Sequence, residues 1–93
     1  MDRPVRYHLK VTSSFQRILT KLKRRHSPLL GEIDRSVEKI LTQPELGKPL
    51  RHNLKNFRRI HIEGSFVLLY EIHNDEVRLI DFDHHDKVYK KYA

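Results

Sequence analysis

The stretch from Phe57 to Phe82, FRRIHI EGS FVLLYEI HND EVRLIDF, decides the fold. Three segments rich in β-branched and aromatic residues are separated by two short groups that favour turns. Glu63-Gly64-Ser65 offers a glycine for a positive-φ position, and Asn74-Asp75 supplies the second turn. Tight turns between consecutive strands predict an antiparallel meander. Its middle segment, Phe66 to Ile72, is the most apolar run in the chain and is expected to be the central strand. Side chains alternate across a strand, so Arg59 and His61 point one way while Arg58, Ile60 and Ile62 point the other.

Upstream of this stretch the periodicity changes twice. Val5, Tyr7, Leu9 and Val11 alternate with polar neighbours, as a half-buried strand does, and this strand is expected at one edge of the sheet. Phe15, Ile18, Leu19 and Leu22 then fall three and four apart behind the cap candidates Thr12 and Ser13, predicting a helix over residues 13–25. Ser27-Pro28 is a helix-start signal, and Leu29, Leu30, Ile33, Val37, Ile40 and Leu41 form one apolar stripe that ends before Pro44. So short a connection predicts an antiparallel helical hairpin. Downstream, DHHDKVYKKYA places Val88, Tyr89 and Tyr92 at helical spacing and predicts one or two helical turns against the sheet edge.

Together these elements describe one α+β domain over residues 1–93, in the order β-α-α-β-β-β with a short C-terminal helical segment. An antiparallel sheet would carry the helical hairpin on one face and leave the other open as a rigid platform.

The chain has 93 residues, which gives one core and little room for an enclosed substrate cavity, so any active site is expected to be shallow. Without cysteine it has no disulfide framework, thiolate nucleophile or cysteine-ligated metal. No stretch approaches the roughly 20 apolar residues of a membrane span, and a cytoplasmic protein is expected. Nineteen Lys and Arg stand against twelve Asp and Glu, for a net charge of +7. The excess sits in residues 1–31 and in GKPLRHNLKNFRR, where Lys48, Arg51, Lys55, Arg58 and Arg59 are accompanied by no acid. Such a field attracts polyanions.

No metal or cofactor motif occurs, and none is expected to be needed. Adjacent His84 and His85, framed by Asp81, Asp83 and Asp86, would need ligands from elsewhere to hold a metal. The residues suit RNA phosphodiester cleavage better. That reaction needs a base near the 2′-OH, cations against the developing phosphorane charge and an acid for the 5′ leaving oxygen. Histidine serves either proton transfer, and Lys or Arg can hold the phosphate. His61 follows the second basic block, while His85 and Tyr89 lie just beyond the last strand. A three-stranded meander can bring these places together, whereas His8, His26 and His73 read as ordinary strand or turn residues.

The sequence of elements, with GKPLRHNLKNFRRIHI, FVLLYEI, EVRLIDF and HHDKVYKKY, resembles the RelE/ParE superfamily of small toxins, and within it the YafQ branch. The resemblance implies a sheet with a two-helix hairpin and, for the RelE and YafQ types, a ribosome-dependent mRNA endonuclease held inactive by an antitoxin. It also implies histidines at His61 and His85 and an aromatic at Tyr89. The branch's upstream histidine falls on Lys48, its two nearby aspartates on Arg59 and Ser65, and its tryptophan on Phe66. The RelE-type arginines expected near Val67 and Asp83 are missing.

By this resemblance His61, His85, Lys48, Arg59 and Tyr89 are the catalytic candidates, and Arg51, Lys55, Arg58, Phe66 and His84 the RNA-contacting ones. The implied partners are a small acidic antitoxin, in a higher-order hetero-oligomer, and the mRNA-loaded ribosome. A ParE-like gyrase inhibitor and an inactive nucleic-acid-binding paralogue share the same fold and stand as alternatives.

Overall fold

The structure, a computed structural model, describes residues 6–50 and 56–92; Arg51 and Lys55, like Val5 of the expected first strand, lie outside the described residues. The elements are β1 (His8–Val11), α1 (Ser13–Arg25), α2 (Pro28–Thr42), a 3₁₀ turn at Pro44–Leu46, β2 (Lys48–Pro49), β3 (Phe57–Ile62), β4 (Phe66–His73), β5 (Glu76–His84) and α3 (His85–Tyr92). They form a helical hairpin packed on a mixed five-stranded sheet of order β1-β5-β4-β3-β2.

The local signals explain most boundaries. Thr12 caps α1, its hydroxyl accepting from Phe15 N at 3.2 Å while donating to Leu79 O at 2.9 Å, so one side chain both starts the helix and ties it to the sheet. Pro28 opens α2 as expected. Ser27 does not cap it through its side chain. Its backbone is already helical (φ −59°, ψ −29°), and its carbonyl accepts from Leu30 N. In the β3–β4 turn Glu63 and Gly64 take positive φ values of 55° and 75°, and in the β4–β5 turn Asn74 takes 56°.

The meander β3-β4-β5 is antiparallel with β4 central, while β1 lies at an edge. Its partner relation corrects the all-antiparallel expectation: β1 runs parallel to β5, His8 opposite Glu76 and Val11 opposite Leu79. The hairpin carries the chain from the β1 edge to the β2 edge, and the meander returns it, so β5 arrives in the direction of β1. A parallel pair needs such a long crossover.

One face of the sheet holds the main core. Phe15, Leu29, Ile33, Val37, Ile40 and Leu41 of the hairpin pack against Ile62, Leu68, Tyr70, Val77, Leu79 and Phe82 of the strands. The opposite face is not the open platform that the sequence suggests. Val67 and Leu69 on that face are fully buried, as is Val88 of α3. The C-terminal segment therefore crosses this face instead of following the sheet edge, because Val88 and the two tyrosines present an apolar side that the strand residues can cover. Among the described residues no helix is long and apolar enough to cross a membrane.

Candidate active site at the sheet face beneath the C-terminal helix

Strand alternation in β3 sends Phe57, Arg59 and His61 to the α3 side. Helix α3 begins where β5 ends, and the His85 backbone N–H donates to Ser65 O at 2.9 Å, joining the helix start to the β3–β4 turn. One turn later Tyr89 reaches back over β3. Its hydroxyl lies 3.4 Å from His61 Nε2, and the Arg59 guanidinium carbon lies 5.6 Å from its ring centroid. That is within cation–π range. The His85 and Tyr89 rings are 6.0 Å apart. Tyr89 is thus the common neighbour of His61, Arg59 and His85.

Lys48 joins from the other side. It stands opposite Arg59 in the β2–β3 ladder, and directly opposed residues project to the same face. Lys48 and His61 are exposed and Arg59 and His85 partly so. Among the described residues Arg59 Nε is buried without a hydrogen-bond partner. The grouping offers two imidazoles, a phenol and the basic side chains of Lys48 and Arg59 around a shallow surface, with an Asp86 carboxylate oxygen 3.0 Å from His85 Nδ1 to orient that ring. Chemically it can exchange protons at two nitrogen centres and hold a phosphate between them.

The other sequence candidates separate from this group. Arg58 points to the hairpin side, where its guanidinium donates to Glu45 O at 3.1 Å and Gly47 O at 2.7 Å. Phe66 also points there, stacked on Phe82 at 5.4 Å and edge-on to His84 at 6.1 Å. His84 approaches the site only around the end of the sheet, its ring 4.6 Å from that of His85. Both displacements follow from period-two alternation: Arg58 neighbours Arg59, and Phe66 pairs across the ladder with His84. One imidazole nitrogen each from His84 and His85 and one Asp86 oxygen lie within 4.8 Å of one another, a donor set that would need further ligands to complete a metal site.

Sequence reasoning missed the residues that hold α3 in place. Asp81, 5% exposed, accepts from Lys91 Nζ at 2.9 Å and from the Tyr92 hydroxyl at 3.2 Å. The bonded carboxylate raises the Lys91 ammonium above its ordinary 10.5. Burial, reinforced by the same carboxylate, raises the Tyr92 phenol above 10.0. Strict alternation would have put Asp81 on the hairpin side with Val77 and Leu79. A register shift pairs Leu69 with Asp81 but Tyr70 with Leu79, leaving Ile80 unpaired and turning Asp81 to the α3 side. Nothing in the residue pattern EVRLIDF marks that extra residue.

The chain has relatives among known proteins in both sequence and fold. Residues 5–89 match the family model described as the ParE toxin of type II toxin-antitoxin system, parDE. The candidate toxin RelE4 of Methanocaldococcus jannaschii is 41% identical over 87 residues, which is 91% of this chain and 93% of that one. Among solved structures, the RelBE2 toxin–antitoxin complex of Mycobacterium tuberculosis superposes with a TM-score of 0.72 at 27% identity, covering 86% of this chain and 99% of the matched one. Escherichia coli YafQ superposes at 0.68 with 16% identity, covering 89% and 98%, a likeness of fold. With family match, relative and fold in agreement, the chain belongs to the RelE/ParE/YoeB/YafQ superfamily of toxin–antitoxin proteins.

Proposed function

We propose that this protein is a toxin endoribonuclease that cleaves mRNA in the ribosomal decoding site. The observation that carries this reading is the convergence on Tyr89 of His61 and Arg59 from β3 and of His85 from α3, with Lys48 opposite Arg59. In the proposed step one imidazole takes the proton of the 2′-OH as the 2′ oxygen forms a bond to phosphorus. The P–O5′ bond breaks, and the second imidazole, as imidazolium, gives its proton to the leaving 5′ oxygen. The products are a 2′,3′-cyclic phosphate and a 5′-OH. Arg59 and Lys48 hold the phosphate charge as it develops, and Tyr89 offers a base a stacking surface worth roughly 1–3 kcal/mol. No step requires a metal or cofactor.

The site is shallow, and in this reading the ribosome supplies its missing wall in the cytoplasm. The net charge of +7 also suits a small acidic antitoxin, and the M. tuberculosis relative was solved with its antitoxin. Replacing His85 with Gln should lower cleavage on programmed ribosomes by about 10²- to 10⁴-fold, with transcript ends mapped relative to codon boundaries and folding checked by circular dichroism. Cleavage at the wild-type rate by the folded variant would remove His85 from the mechanism.

One observation favours a second reading: the matched family model is that of ParE toxins. A ParE-like protein would inhibit DNA gyrase instead of cutting message. Assaying gyrase supercoiling beside ribosome-dependent cleavage separates the two activities.

A further inference from the structure

Lys48 of the two-residue edge strand β2 stands directly opposite Arg59 of β3, a register that sets like charges on one face and that such charges disfavour. The fold holds them there with buried groups. Tyr70, at the middle of the central strand and fully buried, directs its hydroxyl at the segment just before Lys48. That hydroxyl donates to Pro44 O at 2.5 Å and accepts from Gly47 N at 2.9 Å. Arg58, the ladder partner of Tyr70, donates to Glu45 O and Gly47 O. Two paired side chains therefore bind the backbone of Pro44, Glu45 and Gly47.

Gly47 is required for this close approach. A Cβ there would lie 2.7 Å from Arg59 O and 2.8 Å from the Tyr70 hydroxyl. The next residue is Lys48, so the position of its side chain beside Arg59 follows from the bound segment. A like-charged pair at a sheet edge contributes nothing favourable to folding, yet its geometry is set from the core. A register of like charges that buried groups enforce in this way is better explained by function than by folding.

We infer that Tyr70 and Arg58, acting through Gly47, are positioning residues that fix Lys48 opposite Arg59 and so build the phosphate-holding half of the site. The inference rests on the nuclease reading proposed above. Tyr70→Phe removes only the hydroxyl, and Arg58→Gln provides a second variant should the first fail to fold. Either one, folded, should cut message about tenfold to a hundredfold more slowly than wild type.

The discriminating measurement is a double-mutant cycle with Lys48→Met. If Tyr70 acts through Lys48, the Tyr70→Phe/Lys48→Met protein cuts no more slowly than Lys48→Met alone. Additive losses, as a merely structural role would give, overturn the inference. A Lys48→Met protein that cuts at the wild-type rate overturns both the inference and the part of the nuclease reading that uses Lys48.

A readout without activity separates the two. The Leu50 amide donates to Phe57 O beside β2, and in Tyr70→Phe its hydrogen exchange should accelerate at least about tenfold while β4–β5 amides keep their protection. Unchanged exchange at Leu50 overturns the clamp even if cleavage falls. Accelerated exchange in a protein with no nuclease activity supports the clamp and sinks the nuclease reading alone.

Discussion

The two faces of the sheet are covered by unequal means. On the hairpin side, twelve buried residues from α1, α2 and the strands form one cluster, with Tyr7, Val11, Ile18, Leu19, Leu22, Ile60, Phe66 and Ile72 packed around it. On the other side α3 contributes a single fully buried residue, Val88, over Val67 and Leu69, and is held besides by polar contacts to Asp81 and by Tyr92 near Phe57. The first face holds most of the buried apolar side chains. The second carries the candidate chemistry, because His85 and Tyr89 meet His61 and Arg59 only when α3 is docked. A site built on a lightly held element lies at the low end of the local stability range.

This contrast can be broken first at its strong side. Phe15→Ala removes a fully buried ring from the hairpin face and should cost about 3–5 kcal/mol in urea unfolding, enough to leave much of a small domain unfolded. A loss below about 1 kcal/mol would show that the hairpin face is not the main core. Val88→Ala should cost less, about 1–2 kcal/mol by the transfer of its two methyl groups. Its larger effect should be on cleavage per folded molecule, which distinguishes a docking residue from a core residue.

A third test uses pH. The Lys91, Tyr92 and Tyr70 protons are held more tightly in the folded state than in the unfolded one. The folded protein therefore binds more protons in the alkaline range, and stability is full below the ordinary values of 10.5 and 10.0 and falls as pH rises through the folded ones. Thermal unfolding should show a loss beginning near pH 10. Asp81→Asn removes the main cause of the Lys91 shift and part of that at Tyr92, so its alkaline decline should be shallower, with the Tyr70 share intact. An unchanged decline would mean that Asp81 does not anchor α3. The smallest effect is expected at Thr12, where Thr12→Ala should cost about 1 kcal/mol through the lost cap, with cleavage per folded molecule unaltered.

Much of the fold was legible because its signals are local. Helix α1 begins and ends where the spacing of Phe15, Ile18, Leu19 and Leu22 and the Thr12 cap place it, and the meander follows from Gly64 and Asn74 at the turns. The Arg59–His61 side of the candidate site was legible for the same reason, since alternation in a strand is a property of the chain. Its distance from His85 and Tyr89 was not, nor was the covered second face. Those depend on where α3 lands, and α3 is anchored through Asp81, which one unpaired residue in β5 turns toward it. The clamp on Lys48 was equally hidden: Tyr70 and Gly47 lie 23 residues apart and carry no pattern that joins them.

By itself the sequence determined the helices, the strands of the meander and their turns, the basic character of the surface and the face on which Arg59 and His61 stand, but neither the 3₁₀ turn at Pro44–Leu46 nor the two-residue β2 that carries Lys48. These are consequences of side-chain period, capping and φ preference, all of which act over a few residues. Only the tertiary structure decided that β1 runs parallel to β5, that α3 closes over the second face, and that Lys48 is held against Arg59. Each of those arises from contacts between segments distant in the chain, where burial and hydrogen bonding in three dimensions outweigh what neighbouring residues prefer.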